Sequence, residues 1–237
     1  MPRGRTARPL AESSLRGIIR EFLLLEAARS VEDFIASGGS VRIGGYTGGS
    51  SQMAVELFLT DEETGNLDRV GMISCGPPAK TTRAYGGPCR PVGRGGEALP
   101  RAWEVKWSQA EDGHGPLLYD IAMETARIFG ASLASDRDEV SYEAQRVWSF
   151  YDRNRSDVVK GQLDDEDGTL TPDDEEDDCS QWMSKSVAQD AGAPDEWDQE
   201  PLSRAFTVPE GQYPRLRALA AADRLRAPPA VISAIGG

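Results

Sequence analysis

The chain has 237 residues, 39% of them hydrophobic and 27% charged, with a formal net charge of −13. That is enough length for one large domain or two small ones, and enough apolar content for a real core. The longest apolar run, residues 18–25, is broken by Arg20 and Glu21, so no bilayer-spanning segment is predicted and a soluble protein is expected.

The predicted elements begin after a basic, proline-containing start. Residues 15–25 place Leu15, Ile18, Ile19, Phe22 and Leu25 at helical spacing, which predicts a short amphipathic helix. Its charges and the lack of a small-residue cleavage site argue against a secretory signal. A second helical stretch, residues 31–36, ends at Gly38 and Gly39. A strand starts at residues 41–43, and residues 44–51 form a glycine- and serine-rich turn. Met53, Val55, Leu57 and Leu59 alternate, residues 61–66 turn, and Val70, Met72 and Ile73 return, which predicts a β-hairpin.

Residues 76–100 are rich in glycine and proline and read as a long loop. Residues 102–107 then alternate as a strand, with Trp103, Val105 and Trp107 on one side and Glu104 and Lys106 on the other. A loop over 108–115 leads into a helix in which Pro116 suits the first turn and Leu117, Leu118, Ile121, Ala122, Thr125 and Ile128 face inward. Gly130 ends it. Residues 131–134 read as a short strand. Ser141 is the expected N-cap of a further helix carrying Ala144, Val147, Trp148 and Tyr151 on one face.

The charge is concentrated beyond that helix. Residues 161–200 hold 15 acidic residues against Lys185 alone, which leaves the rest of the chain near neutral. The segment reads as a solvated linker or as an acidic surface for a basic partner, and strong direct nucleic-acid binding is not expected. Residues 215–226 predict a short helix, and residues 230–235 a terminal apolar run, either a strand or a frayed tail.

Cys75, Cys89 and Cys179 are odd in number and show no C-x-x-C spacing, so neither a disulfide framework nor a zinc knuckle is expected. His114 is the only histidine, no metal ligand set surrounds it in sequence, and no metal is expected. Asp165, Asp167, Gly168, Leu170 and Asp174 mimic part of a calcium loop, but Leu163 would occupy its first position and cannot ligate. Neither a G-x-S-x-G elbow nor a P-loop occurs.

The glycine loop Gly113-His114-Gly115 opens the helix at Pro116, where free N–H groups and the helix dipole favour an anion. Here residues 102–154, AWEVKWSQAEDGHGPLLYDIAMETARIFGASLASDRDEVSYEAQRVWSFYDRN, resemble the GNAT family of acyl-CoA-dependent N-acyltransferases. In that family a strand ends beside a Q/R-x-x-G-x-G/A loop whose amides hold the CoA pyrophosphate, and a helix, a strand and a tyrosine-bearing helix follow. Gly113 and Gly115 match the two small positions. Ala110 replaces the Gln or Arg, Gln109 lies one place away, and Glu111 and Asp112 add negative charge. Ser141 stands in the usual Asn position and Trp148 in the tyrosine position, with Tyr151 one turn later.

The resemblance implies an α/β fold: a GNAT-like mixed sheet flanked by helices, with an N-terminal amphipathic helix and an acidic C-terminal extension. The implied organisation is a leader and helix over 1–38, a GNAT-like domain over 39–160, an acidic linker or extension over 161–200, and a helix and tail over 201–237. The implied activity is acetyl transfer from acetyl-CoA to an unknown amine. Tyr151 is then the candidate acid, Glu104 and Glu56 the candidate bases, and Trp107, Ser108, Gln109, Gly113, His114, Gly115 and Leu117 the candidate cofactor contacts. No metal is implied.

The stretch LRGIIREFLLLEAA also resembles leader helices of tailed-phage proteins, which are cut after a glutamate in a Leu-x-Glu-Ala pattern. Leu24-Leu25-Glu26-Ala27 fits it. That resemblance implies phage origin, a host-cytoplasmic protein that is packaged in the virion, and capsid or prohead components as partners. The alternative function is a non-catalytic virion or partner-binding protein on the same fold.

Overall fold

The computed structural model describes residues 29–45, 52–77, 90–92, 100–111, 113–136, 140–164, 202 and 204–236. The elements in chain order are α1 (Val31–Ala36), β1 (Ser40–Gly45), β2 (Met53–Thr60), β3 (Leu67–Gly76), β4 (Arg90–Val92), β5 (Arg101–Ala110), α2 (Gly115–Ile128), β6 (Ala131–Ala134), α3 (Tyr142–Asn154), β7 (Val159–Asp164), β8 (Arg204–Thr207), α4 (Pro214–Ala221), β9 (Leu225–Arg226) and α5 (Pro229–Ile235). The protein is α/β, with one mixed sheet in the order β4-β7-β8-β6-β5-β3-β2-β1-β9. The β5–β6 and β1–β9 pairs are parallel and the others antiparallel.

Local chemistry explains the element ends. Ser30 caps α1 by accepting the Asp33 N–H at 3.0 Å, and its hydroxyl donates back to Asp33 Oδ2 at 2.8 Å. The β2–β3 turn is held by Asp61, whose Oδ1 accepts the backbone N–H groups of Thr64 at 2.7 Å and Glu63 at 3.0 Å. Those bonds hold the Asp61 carboxyl below its usual range. Ser141 caps α3 by accepting the Ala144 N–H at 3.2 Å. Gly130 leaves α2 with φ 71°, the left-handed turn that glycine tolerates best.

The core lies between the sheet and α2. Leu118, Ile121 and Ala122 of α2 are buried with Val55, Leu57, Ile73 and Leu133 of the strands. Trp148 of α3 stacks on Phe206 of β8, with ring centroids 5.5 Å apart, and meets Tyr119 of α2 edge-on at 5.4 Å. In the order β5–α2–β6, two adjacent parallel strands are bridged by one helix.

Several expectations are corrected. Residues 230–235 are neither strand nor frayed tail: they belong to α5, where Pro229 sits in the first turn and Val231 and Ile235 bury one face at i, i+4 spacing. The helix expected over 215–226 stops at Ala221, and Leu225–Arg226 form β9 beside β1. The loop expected over 76–100 contains β4. The strand expected over 102–107 runs on to Ala110, because its main chain keeps pairing with β3 as far as Gly71 opposite Ala110. β7 extends to Asp164, past the expected start of the acidic segment, and β8, expected in a tail region, is a strand between β7 and β6.

The single face expected for Trp103, Val105 and Trp107 is also corrected. Cys75 pairs with Val105 and its neighbour Ser74 with Trp107, so Lys106 is an extra residue, a β-bulge. Because Cys75 and Ser74 point to opposite faces, the bulge sends Val105 and Trp107 to opposite faces. Val105 is buried and Trp107 is 46% exposed.

The N-terminal amphipathic helix, the Glu26–Ala27 cleavage position, Asp112 and the acidic stretch 165–200 lie outside the described residues. Leu163, first position of the calcium-loop mimic, is buried in β7. Among the described residues no helix is long and apolar enough to cross a membrane.

Candidate functional site

The central feature is a fork between β5 and β6. The parallel pairing runs only from Arg101 opposite Ala131 to Glu104 opposite Ala134. β6 ends there, while β5 continues through the bulge to Ala110, paired with β3 alone. Among the described residues no strand pairs with the β6-side edge of β5 beyond Glu104. In open α/β sheets the carboxyl ends of adjacent parallel strands are where ligands bind.

Glu104 stands at the fork. It is 2% exposed, and its Oε2 accepts a hydrogen bond from Lys106 Nζ. Asp136, two residues past the end of β6, brings its Oδ2 within 3.7 Å of the same ammonium. The lysine therefore bridges carboxylates from both arms. Glu56 is elsewhere. It sits between Arg42 at 3.7 Å and Arg69 at 3.2 Å on the β1–β2–β3 part of the sheet. Glu56 pairs with Met72 and Glu104 with Gly76, four residues apart along β3, so the two carboxylates are separated by about 13 Å along the strands. The structure does not bring them together.

The far end of the open edge meets the start of α2. Gly113 has φ 81°, which lets the chain turn back from β5. Gly115 is the first helical residue, and a Cβ placed on it would have no atom within 4 Å. First-turn N–H groups have no preceding turn to donate to, and Pro116 has none to offer. His114, a predicted cofactor contact, turns the other way. Its ring is buried 5.9 Å from that of Phe34 in a T-shaped contact with α1. Leu117 is likewise buried. Glu111, at the end of β5, is exposed and keeps negative charge near this turn.

Alternation splits the remaining predicted contacts. Ser108 faces α2, with its Oγ 2.9 Å from the Tyr119 hydroxyl. Burial pushes the Tyr119 phenol up to about 12, partly offset by that bond. Trp107 and Gln109 face away from α2 and line a cleft of about 130 Å³ with Arg69, Met72 and Glu111.

Tyr151 lies in a buried polar network on α2. Its hydroxyl is 2.7 Å from Asp120 Oδ1 and 3.0 Å from the Pro116 carbonyl. Asp120 also binds Arg155 at 2.8 Å and Arg215 at 2.9 Å. Arg155 forks onto Asp157 with two bonds of 2.7 Å, which hold the Asp157 carboxyl below its usual range. Burial and the adjacent Asp120 charge push the Tyr151 phenol well above its usual value. Glu124 is fully buried one turn further on. It accepts the backbone N–H groups of Arg215 at 3.2 Å and Leu216 at 3.0 Å, capping α4, and burial pushes its carboxyl up to about 7.

Sequence reasoning missed Lys106, Asp136, Asp120 and Arg215. Lys106 was visible as the i+2 neighbour of Glu104, but Asp136 and Arg215 reach their partners only through the fold. Among the described residues no group of three or more His, Cys, Asp or Glu side chains is placed to hold a metal. No family model, curated protein or solved structure matches the chain.

Proposed function

We propose that the protein is an acyl-CoA-dependent N-acyltransferase of GNAT-like fold, transferring an acetyl group from acetyl-CoA to an amine. The observation that carries this reading is the fork. An edge of β5 with which no described strand pairs leads from the α2 start at Gly115 to a buried carboxylate, Glu104, at the point where β6 ends. The order strand, glycine turn, helix, strand, tyrosine-bearing helix agrees with what the resemblance implies.

In this reading the CoA pyrophosphate meets the first-turn N–H groups at Gly115, and the pantetheine arm runs along the β6-side edge of β5 as an added strand would. The thioester then lies near Lys106, where β5 runs on past the last residue of β6, and main-chain N–H groups of that stretch of β5 would polarise its carbonyl. Glu104 takes the proton from the acceptor ammonium so that a neutral amine attacks. With its hydroxyl engaged by Asp120, Tyr151 is better read as a residue that positions the start of α2 than as the acid.

The test is release of free thiol from acetyl-CoA in the presence of alkylamines. Glu104→Gln is expected to lower kcat about 100-fold or more, with little change in the KM for acetyl-CoA. Equal turnover in that variant, or no thiol release with any amine, speaks against the reading.

One observation favours the second reading, a non-catalytic virion or partner-binding protein that retains the fold. Glu111 is exposed near the α2 start, where it opposes a pyrophosphate. Under that reading acetyl-CoA does not bind.

A further inference from the structure

We propose that Lys106 is an acyl acceptor in its own right, so that the protein acetylates itself at the fork between β5 and β6. The inference rests on the acyl-CoA reading above and names the site of a first transfer.

The structure already holds an alkylammonium where an acceptor amine would have to stand. Lys106 Nζ donates to Glu104 Oε2 and lies 3.7 Å from Asp136 Oδ2. Its side chain is 20% exposed, against 2% for Glu104 and 16% for Asp136. The lysine side chain is therefore partly exposed, while the carboxylate that would deprotonate it is buried. Lys106 is also the bulged residue of β5, four residues before the strand ends at Ala110. At about 3.3 Å per residue, that is about 13 Å from the strand end beside the α2 turn, the order of an extended pantetheine arm.

The step balances with a thioester as the sole co-reactant. Glu104 takes one proton from the Lys106 ammonium. The freed nitrogen lone pair attacks the thioester carbonyl carbon and forms the C–N bond. The tetrahedral intermediate expels sulfur, the C–S bond breaks, and the thiolate takes the second nitrogen proton. The products are an acetylated Lys106 and free CoA thiol, with the first proton passing from Glu104 to solvent. Acetylation removes the cation that separates Glu104 from Asp136.

The chain has four lysines, Lys80, Lys106, Lys160 and Lys185, which makes the site readable by mass. Lys160 is a useful contrast, because its Nζ donates to the main-chain carbonyl of Asp152. The full chain is incubated with isotope-labelled acetyl-CoA, digested and mapped, and acetyl-CoA binding is measured separately by calorimetry. The expected result is one label per chain, at Lys106, with one equivalent of thiol released. Glu104→Gln is expected to bind acetyl-CoA and to label at least tenfold more slowly, and Lys106→Arg to bind it and take no label. Binding without label at Lys106 overturns the self-acylation and leaves the acyl-CoA reading standing. Label spread over the four lysines at similar rates shows spontaneous chemistry and also overturns it. No binding overturns both. The wild-type map decides even if a variant fails to fold.

Discussion

The hydroxyl of Tyr151 lies 2.7 Å from the Oδ1 of Asp120, joining the last turn of α3 to the second turn of α2. Arg155 and Arg215 bind the same carboxylate, so the phenol is one of three donors in a buried network. Tyr151→Phe is expected to lower unfolding free energy by about 1–3 kcal/mol, the usual loss when a buried bond to a charged acceptor is removed. Urea unfolding followed by tryptophan fluorescence checks this. An unchanged midpoint would mean that the hydroxyl contributes nothing to stability.

Glu124 gives the protein a pH dependence of defined sign. Its carboxyl is raised from 4.5 in the unfolded chain to about 7 by burial, against the pull of the Arg215 and Leu216 N–H groups and the Arg215 charge. A raised folded-state value means that this contribution is fully present below the unfolded value and is lost as pH rises through about 7. Stability is therefore expected to fall between about pH 5 and 7 from this group, while Asp157, lowered by Arg155, contributes in the opposite sense at acid pH. Glu124→Gln keeps an acceptor for the α4 cap and removes the titration. Its urea midpoint should be flatter than wild type from pH 5 to 8, and an identical slope would assign the pH dependence elsewhere.

Gly39 is required by close packing rather than by backbone conformation. A Cβ there would stand 2.4 Å from the Phe34 carbonyl oxygen and 2.6 Å from its ring. The backbone N–H of Gly39 also donates to that carbonyl at 2.8 Å. Gly39→Ala is expected to cost about 1–3 kcal/mol by forcing α1 off β1. Gly44→Ala, where a Cβ would meet nothing within 4 Å, is the control and should change stability by less than about 0.5 kcal/mol. Similar thermal shifts in the two variants would refute the packing explanation.

The parts of the fold legible in sequence were those written in local periodicity. The β2–β3 hairpin shows as alternation around an Asp61–Gly65 turn, and α2 as a continuous inward stripe ended by Gly130. β8, β9 and α5 were not legible as such, because short apolar segments carry no periodicity that separates strand from helix. At the site, Glu104 and the glycine turn were visible. The bulge at Lys106 was not, because a bulge is a property of the pairing with β3 and leaves no mark in β5 alone. Nor was the burial of the Tyr151 hydroxyl, which needs Asp120 from one helix and Arg215 from another, 95 residues apart in sequence.

The most direct measurement is calorimetric titration of the full chain with acetyl-CoA, alongside Gly115→Glu. The open space at the Gly115 Cβ lets a carboxylate occupy the α2 start without disturbing the core, and its charge opposes a pyrophosphate there. The expected result is micromolar binding to the wild type that is lost in the variant while the two thermal midpoints agree. No binding to wild type at millimolar acetyl-CoA, or equal binding to both proteins, would contradict a cofactor seated between the α2 start and the β5–β6 fork.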